Sequence, residues 1–274
     1  MNIELATGQS LAIERVGPPG SPAVVLLHGL SSSRLSYGPV VVHLAARADV
    51  QIVAVDQRGH GESTRAAPDA YDAPSYAADI AALIETLGLA PAIVAGHSLG
   101  GVVAGALATA RPDLVRALFL EDPPFFEGDA VRRAASPAAK FFPAMVAGVR
   151  QLQAAGAPLD AYRVFTTPGD SEAEIDARCR ALQSWDPSTM EAALDGTVWR
   201  GFDPTVHLAV PVMVLRADPA VGAVFTPEDA VTFAAVNPHA HVIDVPGSAH
   251  TIHAEVTLAA YLGHLDAFLS SVDP

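Results

Sequence analysis

Short apolar runs alternate with longer stretches of helical periodicity along most of the chain, and that alternation predicts an architecture. Ile3 to Ala6 and Leu11 to Val16, joined by Thr7-Gly8-Gln9-Ser10, predict an antiparallel hairpin. Ala23 to Leu27 is an unbroken apolar run closed by His28-Gly29, the pattern of a strand buried on both faces. Leu35 to Ala48 reads as a helix, Gln51 to Val55 as a strand ending at Asp56, and Tyr76 to Leu87 as a second helix. Ala92 to Ala95, Leu99 to Ala110 and Ala117 to Leu120 continue as strand, helix and strand, with Pro112 closing the helix. This order requires right-handed crossovers, hence an α/β fold with a mostly parallel sheet and helices on both faces.

After Asp122-Pro123-Pro124 the strand signal stops. Residues 125–205 show helical stretches broken by Pro and Gly and hold most of the large aromatics, among them Phe125, Phe126, Phe141, Phe142, Tyr162, Trp185 and Trp199. Val212 to Leu215 restores the strand pattern. Thr226-Pro227-Glu228-Asp229 then marks a helix start, with a Thr N-cap, Pro in the first turn and carboxylates near the positive helix end. His241 to Val245 reads as a last strand and Ile252 to Leu269 as a last helix. The chain therefore divides into a core of residues 1–124 and 206–274 interrupted by a helical segment, 125–205.

Composition narrows the function classes. Half of the 274 residues are hydrophobic and 17% are charged, ample for a large buried core and contrary to disorder. Sixteen basic against thirty acidic residues leave a net charge of −14, which repels phosphate backbones and anionic membrane faces. Nucleic acid and membrane partners are therefore not expected, and a small neutral molecule is the expected partner; a homodimer stays open. Cys179 is the only cysteine, so no internal disulfide and no cysteine zinc site can form. With no signal peptide pattern at Met1-Asn2-Ile3-Glu4, the expected compartment is cytoplasmic.

Gly96-His97-Ser98-Leu99-Gly100 matches Gly-x-Ser-x-Gly between a buried strand and an Ala/Gly-rich helix, the context in which a sharp turn lifts a serine hydroxyl above the sheet. His28-Gly29-Leu30 follows an earlier strand, where one backbone donor for a developing oxyanion is expected; Leu30 and Leu99 N–H form the candidate pair. The polar loop Asp56 to Ser63 reads as structural, shaping the edge of the site. A serine hydroxyl needs a base near neutral pH, oriented by a carboxylate. His250, in Gly247-Ser248-Ala249-His250 between the last strand and the last helix, is the candidate base. His253, one helical turn on, reads as a solvated or capping residue, and His28 as a structural one. For the acid, Asp218 follows the strand Val212 to Arg216, but the usual glycine and spacing are missing there. Asp122, 24 residues after Ser98 at the end of the neighbouring strand, is preferred, with Asp218 as the alternative.

In these motifs and their order the chain resembles the α/β-hydrolase fold superfamily, in its members with a helical cap. The resemblance implies an eight-stranded sheet with its second strand antiparallel and a cap inserted after the sixth strand. It implies no metal or organic cofactor. Certain haloalkane dehalogenases and fungal-type zearalenone lactonases resemble this chain in placing the acid after the sixth strand, where Asp122 stands. Serine at position 98 argues against dehalogenase or epoxide hydrolase chemistry, which uses an aspartate nucleophile. The expected activity is hydrolysis of a neutral, hydrophobic carboxylic ester or lactone through an acyl-enzyme, with Phe125, Phe126, Phe142 and Trp185 as candidate substrate contacts. A carbon–carbon bond hydrolase of a vinylogous ketone and a slow-turnover ligand receptor are the alternatives.

Overall fold

In the computed structural model, which describes residues 1–167 and 169–272, eight strands form one sheet in the order β1-β2-β4-β3-β5-β6-β7-β8. The strands are β1 (Asn2–Glu4), β2 (Ser10–Val16), β3 (Ala23–Leu27), β4 (Gln51–Val55), β5 (Ala92–His97), β6 (Val115–Glu121), β7 (Val212–Arg216) and β8 (His241–Asp244). β2 runs antiparallel to both neighbours, and every pair from β4 to β8 is parallel. This is the expected sheet.

Unbroken apolar runs become strands because both faces are covered. In β3, Val25 and Leu27 enter one core cluster while Val24 and Leu26 enter the other, as the period of two demands. The first face packs against α2 (Ala73–Leu87) and α3 (Leu99–Ala110) through residues such as Ile80, Leu83 and Val103. The second packs against α1 (Gly38–Arg47) and the C-terminal helix Leu258–Ser271 through Val40, Leu44 and Leu265. Apolar side chains removed from water on both faces supply roughly 1.5–3 kcal/mol each.

Between β6 and β7 the described chain forms helices only: α4 (Ala130–Ala135), α5 (Pro137–Ala154), α6 (Glu172–Ser184) and α7 (Ser188–Asp195), with short 3-10 turns. α8 (Pro227–Val236) starts as the sequence predicts, with the Thr226 hydroxyl and the Asp229 carboxylate capping one another's backbone N–H. The last helix, α9, begins at Leu258 rather than Ile252, because Ile252 and His253 give their backbone N–H groups to the buried Glu121 carboxylate instead of to a helical turn. Likewise the expected helix over Leu35 to Ala48 divides into a 3-10 turn, Arg34–Tyr37, and α1, which starts where Pro39 sets the first turn. Among the described residues no helix is long and apolar enough to cross a membrane.

The loop after β4 is tied down by buried charge. Asp56, fully buried, accepts from Arg34 N–H at 2.7 Å, from Glu62 N–H at 3.0 Å and from the Arg34 guanidinium. Arg58 is held bidentately by Asp79 at 2.6 and 2.7 Å, both buried, with the Thr7 hydroxyl donating to the same carboxylate. Removing one partner strands the other charge in the interior. Asp79→Ala should therefore lower unfolding stability by about 3–5 kcal/mol, measured by urea denaturation, against a smaller loss when Arg58 is replaced by Met in the same chain.

Candidate active site

β5 ends at His97 and α3 begins at Leu99, so Ser98 alone makes the turn, with φ 52° and ψ −115°. Such a conformation costs a non-glycine residue about 1–3 kcal/mol. Two contacts explain why the flanking positions are glycine. A Cβ on Gly96 would stand 2.3 Å from the Gly100 carbonyl oxygen, and one on Gly100 would stand 2.0 Å from the Leu27 carbonyl oxygen. Helix and strands thus approach at van der Waals distance only without side chains there. The turn is further held by Ser98 N–H donating to the Glu121 carbonyl at 3.0 Å and by Gly101 N–H donating to the Ser98 carbonyl at 2.9 Å.

The loop after β3 lies directly against this turn, since a Cβ on Gly29 would meet His97 Nδ1 at 2.7 Å and Ser98 Cβ at 3.2 Å. Among the described residues neither Leu30 N–H nor Leu99 N–H donates to a protein acceptor. Both expected donors are therefore free beside the serine. His28 has the structural role anticipated for it: fully buried, it accepts from Gln57 N–H at Nε2 (3.1 Å), which leaves Nδ1 to donate to the Gly29 carbonyl (2.8 Å). Burial lowers its pKa to about 4, so the ring is neutral at pH 7.

His250 Nδ1 is hydrogen-bonded to Asp122 Oδ2 at 2.7 Å. The Asp122 carboxylate is fully buried and also accepts from Val224 N–H at 2.8 Å and Phe225 N–H at 3.0 Å. Its backbone, with φ 41°, bends sharply at the end of β6 to aim the carboxylate at the histidine. Asp218 does something else. Half-exposed, it accepts from Ala220 N–H at 2.9 Å and Gly247 N–H at 2.7 Å, shaping the turn that leads to His250 without touching its ring. Ser98 and His250 are not directly hydrogen-bonded; His97 joins their segments, with Nε2 3.1 Å from the His250 carbonyl and its ring 4.7 Å from the His250 ring. Catalytic hydrogen bonds of this kind commonly tighten only when substrate is bound.

A family model described as alpha/beta hydrolase fold matches residues 22–255. The chain belongs to the α/β-hydrolase fold family. Over 261 residues this α/β-hydrolase is 30% identical to 2-(acetamidomethylene)succinate hydrolase of Mesorhizobium japonicum, covering 90% of the chain and 88% of that protein. It is 42% identical to lipase LipV of Mycobacterium tuberculosis, but over 113 residues only, 41% of either chain. Among solved structures, N-formylmaleamic acid deformylase from Pseudomonas putida superposes with a TM-score of 0.79 over 97% of this chain and 99% of that one at 23% identity, a likeness of fold.

Three residues of the α/β-hydrolase differ from expectation. Trp185 is fully buried, its indole N–H donating to the Thr189 hydroxyl at 2.6 Å, so it is a packing residue rather than a substrate contact. Phe125 is 2% exposed and packs against Phe202, Phe225 and Phe233 at ring separations of 5.3 to 6.3 Å, which removes it as a contact too. Phe126 and Phe142 keep part of their surface exposed. His253, expected as a solvated or capping residue, is instead 3% exposed: Nδ1 lies 2.7 Å from Glu121 Oε2, and the ring stacks on Tyr37 at 4.5 Å. Adjacent carboxylates at the end of β6 thus hold two histidines three residues apart. Two surface depressions, one lined by Arg65, Gln153 and Tyr162 and the other by Arg116, His239 and Phe268, contain none of the site residues.

Trp185→Ala should cost about 3–5 kcal/mol in urea unfolding, as for a core aromatic. Burial pushes the Glu121 carboxyl up, but the facing His253 and His97 imidazoles and the donated N–H groups outweigh it and lower it to about 2. A depressed carboxyl stabilises the fold above its ordinary value of 4.5, and that contribution is lost as pH falls toward 2. The stability advantage of the natural chain over Glu121→Gln, measured by denaturant unfolding, should therefore be of order 2 kcal/mol at pH 6 and shrink progressively from pH 4.5 to pH 3.

Proposed function

We propose that this α/β-hydrolase is a serine hydrolase that transfers an acyl group to water, with a small carboxylic ester or lactone as substrate. The observation that carries the reading is the buried Asp122–His250 hydrogen bond set beside the strained Ser98 turn. In this reading Asp122 fixes the His250 tautomer with Nδ1–H toward the carboxylate, which leaves Nε2 as the base. His250 takes the Ser98 proton as Oγ attacks the carbonyl carbon. Leu30 and Leu99 N–H receive the oxyanion, each worth roughly 2.7–4 kcal/mol of barrier. His250 then returns the proton to the leaving group, and a water activated by the same base releases the acyl group. Residues 125–205 act as a cap over this site, with Phe126 and Phe142 as the aromatics still available to a ligand.

A second reading, cleavage of an acyl–nitrogen bond, is favoured by the likeness to 2-(acetamidomethylene)succinate hydrolase along nearly the whole chain. The same serine, base and oxyanion donors serve it, with an amine nitrogen as the group protonated on departure. Parallel assays of 4-nitrophenyl butyrate, a lactone panel and an N-acyl enamine separate the two by which class gives the highest kcat/KM.

On the best of these substrates Ser98→Ala and His250→Ala should each lower kcat by about 10⁴-fold or more. Asp122→Asn should lower it by up to about 10⁴-fold, and Asp218→Asn by no more than a few-fold. Collapse of Asp218→Asn with near-normal turnover in Asp122→Asn reverses the acid assignment, and full activity in Ser98→Ala removes the mechanism.

A further inference from the structure

Most enclosed arginines of this chain are answered by carboxylates or by the carbonyls at a helix end. Arg58 has Asp79, Arg34 has Asp56 and Glu62, Arg132 has Asp229 and Glu127, and Arg133 caps the carbonyls of Leu194 and Asp195 at the end of α7. Among the described residues Arg116, on β6, and Arg178, on α6, are the exceptions, and only Arg178 is tied to a loop of the site. Its Nη1 donates to the Ser31 carbonyl at 2.6 Å and the Ser31 hydroxyl at 3.0 Å, while Nη2 faces only the Met145 sulfur at 3.8 Å, a weak acceptor. Among the described residues no carboxylate pairs with it. Burial lowers its pKa to about 10, and it stays charged at neutral pH. A guanidinium held this way, part-buried and without a carboxylate, keeps several of its five N–H groups available to a further acceptor.

Its position gives this unanswered charge a use. Ser31 directly follows Leu30, whose free N–H is read above as an oxyanion donor, and Ser31 itself sits at φ 56°. The guanidinium is thus hydrogen-bonded to the residue next to the proposed oxyanion donor, one peptide unit along the same loop. We propose that Arg178 is a specificity residue that binds a carboxylate on the acyl side of the substrate, so that the preferred substrates are half-esters or half-amides of short dicarboxylic acids. The proposal rests on the serine-hydrolase reading for its placement and replaces the expectation of a neutral substrate. The net charge of −14 governs approach from solvent, whereas a cation held on the oxyanion loop acts at short range.

The test compares monoethyl succinate with its neutral counterpart diethyl succinate, following ethanol release, in the natural chain, Arg178→Lys and Arg178→Met, with melting temperatures recorded to show that each variant is folded. The ratio of kcat/KM for the acid over the diester should be roughly 30 or more in the natural chain, intermediate in Arg178→Lys and about 1 in Arg178→Met. Added salt should lower the ratio. A natural ratio of 1 or less overturns the proposal, as does an Arg178→Met chain that loses activity on both esters with the ratio unchanged, which makes Arg178 only a clamp on Ser31. A second readout needs no turnover: sodium succinate should raise the melting temperature of Ser98→Ala and not that of Ser98→Ala/Arg178→Met. If neither ester is hydrolysed and succinate still stabilises through Arg178, the carboxylate site stands while the esterase reading fails. If succinate stabilises both chains equally or neither, the site is absent.

Discussion

The carboxyl end of β6 is the point on which the site depends. Parallel pairing sets His97 opposite Glu121, so the last residue of the nucleophile strand and the last residue of its neighbour are in register. The Glu121 carbonyl then accepts from Ser98 N–H, and the next residue, Asp122, turns its carboxylate to His250. One strand end therefore holds both the serine turn and the acid that orients the histidine. Its other carboxylate, Glu121, collects Ile252 N–H, His253 N–H and the His253 ring, which fixes the segment carrying His250 from below. A group buried among so many donors is costly to leave unsatisfied and correspondingly effective at defining one arrangement.

Much of this was legible in the sequence. Runs such as Ala23–Leu27 and Gln51–Val55 specify strands because burial on both faces leaves no room for polar alternation, and the spacing between them specifies parallel crossovers. Ser98 was legible because only glycine fits at Gly96 and Gly100, which writes the turn into the chain. What stayed hidden depends on contacts between distant segments. Glu121 and His253 lie 132 residues apart, and neither has a local pattern that announces its partner. Trp185 and Phe125 look alike to Phe126 and Phe142 in a sequence, since an aromatic that fills a core and one that meets a ligand obey the same helical spacing. Only three-dimensional enclosure separates them.

Charge shows the same division between what is summed and what is placed. The total over the chain describes long-range fields that salt screens within about 10 Å. Individual groups follow their neighbours instead: Asp79 and Asp56 are spent on neutralising arginines, Asp218 on a backbone turn, and Arg178 on a serine carbonyl and a sulfur. An acidic protein can therefore carry a cation that its own carboxylates leave unpaired.

Four of the described non-glycine residues have positive φ, and three of them, Ser31, Ser98 and Asp122, lie on the three loops of the proposed site. Each is held in an unfavourable conformation by the packing around it. Conformational cost is thus concentrated where the reactive groups are, while the sheet and its covering helices are relaxed. Selection of variants for heat resistance alone would favour replacing these residues by glycine, and the more stable chains so obtained would be those that had lost the geometry of the site.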